Sequence, residues 1–149
     1  MENTTTEKKE LFDADHGFIM MQKWPEFLRW LLILPVSLLA FIFVNGISNW
    51  ALKISTADWF LYTVSFIFHT LASALFIYYG AATAPKARKI VMIILALILF
   101  VVSILIFFIP QENYEDRDLS PTLKIINIVS TILGIALAFF WKKGKPEVN

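Results

Sequence analysis

Four long apolar runs, parted by short polar stretches, decide most of what this chain can become. The first, "FLRWLLILPVSLLAFIFV", covers about 27–44 and the second about 59–82. The third, within "IVMIILALILFVVSILIFFIP", covers about 90–109, and the fourth about 122–141. Each is close to the length needed to cross a hydrocarbon layer about 30 Å thick at about 1.5 Å per helical residue. Lipid offers no water to the backbone, so runs of this length must satisfy their own N–H and C=O groups as helices. Alternation of apolar and polar residues is missing, which argues against a transmembrane β-barrel. The expected fold is an all-α membrane protein of four transmembrane helices. A tail at 1–26, in part interfacial, precedes a helical domain at 27–141, and a basic tail follows at 142–149.

Composition agrees. Of 149 residues, 58% are hydrophobic and 17% charged, whereas a soluble domain is nearer half apolar. There is no cysteine, which excludes disulfides, thiolate nucleophiles and thiol redox chemistry. A formal net charge of +1 is too small to draw a nucleic acid. The opening "MENTTTEKKELFDADHG" mixes both charge signs, unlike the basic n-region of a cleaved signal peptide, and reads as a mature tail.

Lysine and arginine set the expected orientation. Lys86, Arg88 and Lys89 crowd the turn between the second and third spans, and Lys142, Lys143 and Lys145 follow the fourth. Lys8, Lys9, Lys23 and Arg29 flank the first. The opposite loops hold Lys53 and the acidic "QENYEDRDLS", so both termini are expected to be cytoplasmic. Lys86, Arg88, Lys89, Lys142 and Lys143 would also meet anionic lipid headgroups, at about 1 kcal/mol per basic residue. Trp24, Trp30, Trp50, Trp59, Tyr114 and Trp141 fall near the interfaces, where amphipathic rings prefer to lie.

Local signals sharpen the helix ends. Pro35 sits inside the first span, where a membrane helix tolerates it with a kink. Ser55 or Thr56 is expected to cap the second helix, with Asp58 against its dipole. Pro110 ends the third, and Ser120 with Pro121 opens the fourth. Between Leu11 and Trp24 the apolar residues lack a helical period, so a short interfacial helix competes with a loosely anchored "FIMM" patch.

The second span carries an ionisable residue, His69, in the middle of an otherwise apolar run. At 100° per residue, Asp58, Tyr62, Ser65, His69, Ser73 and Gly80 fall within an arc of roughly 80°. A face of this kind meets a partner helix or a watered crevice, because an ionisable group against hydrocarbon is costly. The fourth span offers Asn127, Ser130, Thr131, Gly134 and Ala138 on one side, with Ser130, Gly134 and Ala138 in small-xxx-small spacing. The second and fourth spans are therefore expected to meet, within one chain or between copies, with a hydrogen bond such as His69 to Asn127. His69 could serve a proton or ion relay, but the four cores contain no carboxylate to assist it. A structural histidine bonded to a serine, an asparagine or a carbonyl is the stronger expectation.

No catalytic or metal-binding pattern stands out. The histidines are His16 and His69 alone, far from the H-E-x-x-H that holds zinc beside a glutamate base. Asp13, Asp15 and His16 lack a fourth ligand nearby, and Arg117 interrupts the acidic group Glu112, Glu115, Asp116 and Asp118. Nucleophile elbows, phosphate loops and dinucleotide fingerprints are missing. Neither metal, cofactor nor enzymatic activity is expected. Four-helix small multidrug exporters have a similar length, but their embedded first-helix glutamate has no counterpart beyond Glu26 and Arg29 at the edge, so the likeness ends at size.

The resulting expectation is a non-enzymatic integral membrane protein serving as subunit, scaffold or accessory of a membrane assembly. It would associate with itself or with a larger complex, in a bacterial inner membrane. The alternatives are an oligomeric channel or small transporter with Tyr62, Ser65, His69 and Ser73 on its pathway, and an effector that disrupts membranes when its tails are triggered.

Overall fold

The computed structural model describes residues 12–13, 17–18, 21, 23–108 and 121–141. Helix α1 is Glu26–Ala51, α2 is Asp58–Thr83, α3 is Arg88–Phe108 and α4 is Pro121–Trp141. All four are long and apolar enough to cross a membrane. Ahead of them, strands β1 (Phe12–Asp13) and β2 (Gly17–Phe18) pair antiparallel, Phe12 opposite Phe18 and Asp13 opposite Gly17. This small hairpin, with β2 lying beside α2, stands where a short interfacial helix had been one expectation. A segment without a 3.6-residue period has no stripe to hold a helix at a surface.

Helix α1 runs well beyond the expected limit at 44, through Asn45 and Gly46 to Ala51. Asn45 folds its amide back on the helix, donating from Nδ2 to the Phe41 carbonyl at 2.9 Å. Val44 and Ser48 are buried, so packing carries the helix on where hydropathy fades. At 26 residues it is about 39 Å long, more than a hydrocarbon layer about 30 Å thick requires.

The start of α2 also differs from expectation. Ala57 occupies the cap position and forms no side-chain cap. Ser55 acts two residues earlier, its Oγ accepting from the Ala57 N–H at 3.3 Å, so it shapes the turn into the helix instead of capping it. The Ser120 cap of α4 and the acidic group at Glu112, Glu115, Asp116 and Asp118 lie outside the described residues.

Helix α2 is the hub, packing against α1, α3 and α4. Its neighbours differ in direction. Arg29 at the start of α1 reaches Thr83 at the end of α2, so these two run antiparallel. Helix α4 runs parallel to α2, since Gly134 abuts Ser73 and Thr131 meets His69.

Packing is uneven along the hub. Toward the basic end, which holds Arg29, Lys86, Arg88 and Lys89, α2 buries Thr70, Phe76, Ile77 and nearly everything from Gly80 to Ala84. Ile33, Val91, Met92 and Leu95 complete that core. A Cβ on Gly80 would strike Ser37 Oγ of α1 and Leu95 Cδ1 of α3, so the bare glycine is what seats both helices on the hub. Toward the opposite end, every residue of α2 from 58 to 69 is half-buried or exposed.

The outward surface is apolar, with Leu31, Leu39 and Phe43 on α1, Ile93, Leu97 and Leu105 on α3, and Ile125 and Ile132 on α4. So much apolar surface would be an aggregation hazard in water and is the ordinary covering of a bundle in lipid.

Candidate functional site: a polar seam between three helices

His69 lies halfway along α2 and gathers the other helices around it. Its Nε2 is 3.2 Å from Thr131 Oγ1 of α4. The Thr131 hydroxyl lies 2.8 Å from its own helix's Asn127 carbonyl and 3.1 Å from Ser103 Oγ of α3. A threonine hydroxyl has one proton and two lone pairs. Thr131 can give that proton to the Asn127 carbonyl and accept from His69 Nε2 and Ser103 Oγ, or turn it to either of them. On the other side Phe41 of α1 meets the His69 ring edge to face, centroids 5.9 Å apart at 79°, and meets Phe76 in the same manner.

The expected meeting of α2 with α4 occurs within one chain, with a different partner for the histidine. Asn127 contributes its main-chain carbonyl to the cluster, while Thr131, one turn further on, receives His69. Register is the reason. Gly134 accepts Ser73 so closely that a Cβ there would lie 2.6 Å from Ser73 Cβ and 2.6 Å from the Thr70 carbonyl. With that contact set, the residue one turn before Ser73 lies level with 130–131 and not with Asn127.

The remaining seam residues divide into closed and open groups. Ser130 and Ala138 are buried, Ser130 donating to its own helix at Ile126 O, 2.7 Å. Ser73 is 0% exposed and its Oγ has no hydrogen-bond partner among the described residues. Tyr62, Ser65 and Asn127 are half-buried, and their side chains make no hydrogen bond among the described residues.

Two residues of structural weight escaped the sequence reading. Ser103 was not singled out, although it is the one hydroxyl in the α3 run and so carried a signal. Arg29 looked like a topology marker, yet it is only 7% exposed. Its Nε donates to the Thr83 carbonyl and its Nη2 to the Ala84 carbonyl, both at 3.3 Å. Arg88 Nε also reaches the Ala84 carbonyl, at 3.4 Å. Carbonyls at a helix end lack intrahelical donors and carry the negative end of its dipole, which is why guanidinium groups gather there. Glu26 and Lys86 form an exposed ion pair at 2.9 Å beside them.

Lys86 and Lys89 are exposed at this end, while Lys142 and Lys143 lie outside the described residues. So do Asp15 and His16, and among the described residues no group of three acidic or histidine side chains is placed to hold a metal. Comparison with family models, with curated proteins and with solved structures returned no significant match. Function must then be argued from the bundle itself.

Proposed function

We propose that the chain is an integral membrane protein acting without catalysis, as a subunit, scaffold or accessory of a larger membrane assembly. The observation that supports this is how its embedded polar groups are used. His69, Ser103 and Thr131 bond one another across three helices, the role of polar side chains as interhelical glue. The small-residue face of α4, Ser130, Gly134 and Ala138, is turned to α2 within the chain. Contacts with further copies or with unlike proteins are then left to the apolar faces of α1 and α3. The lysine and arginine bias favours cytoplasmic termini, with Lys86, Arg88 and Lys89 at anionic headgroups. A bacterial inner membrane suits a compact chain without cysteine.

Native mass spectrometry from lipid nanodiscs tests the reading. A defined multiple of the chain mass, or an unlike protein retained with it, is the expected result. A lone monomer at every protein concentration overturns it.

A second reading, an oligomeric channel or small transporter, is favoured by the half-buried Tyr62, Ser65 and His69 on one face of α2. Ion or solute flux through reconstituted vesicles tests it. Wild type and His69→Ala at equal background would retire the pathway.

A further inference from the structure

We propose that the seam between α2, α3 and α4 is a blind crevice filled with water, open at the end of the bundle carrying the α1–α2 connection and closed at Ser73. This goes beyond a role in assembly and stands whichever partners the chain has.

The burial pattern of the hub is the first support. From 58 to 69, α2 has no buried residue, and from Thr70 onward most of it is closed off. The open stretch is the polar one, with Tyr62, Ser65 and His69 on the face that turns to α4. The His69–Thr131 bond sets the level of the two parallel helices. Ser65 and Asn127 each lie four residues before a member of that pair, so they stand level with one another one turn toward the open end.

Hydrogen-bond accounting is the second support. The Tyr62 and Ser65 hydroxyls and the Asn127 amide have no partner among the described residues. An amide offers two donors and an acceptor, and leaving such groups bare at membrane depth is costly. Facing polar groups on neighbouring helices supply the two to four contacts that an ordered water requires. Ser73 is the third support, a wholly buried hydroxyl without a partner among the described residues, one turn inward from His69. Beyond it Phe76, Ile77, Ala81 and Leu95 form a continuous apolar plug.

The occupant is water, which can donate or accept at each of these groups. No ion is favoured, since the lining offers neutral hydroxyls, one amide and one imidazole.

The chain has no cysteine, so single substitutions report position without background. Ser65→Cys, which exchanges one oxygen for sulfur, and Asn127→Cys are reconstituted in vesicles of known orientation. A charged, membrane-impermeant methanethiosulfonate is then added to one side at a time. Lipid-facing controls are Ile67→Cys and Ile125→Cys, each at a site 55% exposed. Ala81→Cys, at a site 5% exposed, reports the plug.

Only a hydrated thiol ionises and reacts, so Ser65→Cys and Asn127→Cys are expected to label at least about tenfold faster than the lipid-facing controls. They are expected to do so from one side only, with Ala81→Cys silent. Ile125 lies two residues nearer the start of α4 than Asn127, so a rate set by depth alone would favour Ile125→Cys and overturn the crevice. Labelling of Ser65→Cys no faster than Ile67→Cys would overturn it too. Labelling from both sides would overturn the closed end.

Discussion

His69 and Thr131 lie 62 positions apart in the chain and are joined in the bundle by a hydrogen bond of 3.2 Å between Nε2 and Oγ1. Thr131→Val keeps the branched shape and deletes the hydroxyl, leaving His69 and Ser103 without their shared hydrogen-bond partner. The expected loss is about 1–2 kcal/mol, the sum of two interhelical contacts in lipid. Thr131→Ser is expected to retain most of it. Reversible unfolding in mixed micelles with rising dodecyl sulfate measures the difference. Identical curves for wild type and Thr131→Val would show that the cluster adds no cohesion.

Two glycines should respond oppositely to the same methyl group. Gly134→Ala places a Cβ 2.6 Å from the Thr70 carbonyl and from Ser73 Cβ, and main chain cannot swing aside. Separating α2 from α4 is expected to cost about 1–3 kcal/mol. Gly46 has nothing within 4 Å of its missing Cβ, so Gly46→Ala is expected to stabilise α1 by up to about 1 kcal/mol. The same unfolding measurement decides both.

Arg29 carries a positional role that its charge alone does not explain. Arg29→Lys preserves the positive charge but loses the fork reaching two carbonyls. A loss of about 1–3 kcal/mol is expected by thermal unfolding in mild detergent, with topology by protease protection unchanged. Glu26→Gln, which breaks an ion pair whose side chains are 62% and 73% exposed, is expected to change neither.

At the turn into α3, Ala87 holds a φ of 53°, the left-handed region that a Cβ disfavours. Ala87→Gly is expected to raise the melting temperature, by relief of about 1 kcal/mol of backbone strain. Ala87→Val is expected to lower it, since branching at Cβ worsens the same clash. If both variants melt alike, the turn is not strained.

Particular residues show where sequence sufficed and where it stopped. The α3 run is nearly pure aliphatic and aromatic, and Arg88–Phe108 is helical across almost all of the stretch that hydropathy marks. The end of α1 was hidden because Asn45 and Gly46 look like an exit, and only the burial of Ser48 against its neighbours reveals a continuing helix. The polar faces of α2 and α4 are visible as 3.6-residue stripes, but which rung meets which depends on Gly134 touching Ser73, a contact between helices that no local pattern encodes. Arg29 remained opaque for the same reason, because an arginine beside an apolar run serves topology and packing alike.

The hub position of α2 also has a history in time. Thr131, which answers its histidine, is synthesised 62 residues after it. At about 5–20 residues per second that interval is roughly 3–12 s. Throughout it the imidazole of α2 lacks the hydroxyl that it bonds in the finished bundle. The seam of this bundle thus closes only when α4 is made, and a chain stopped before α4 leaves His69 without its hydroxyl partner.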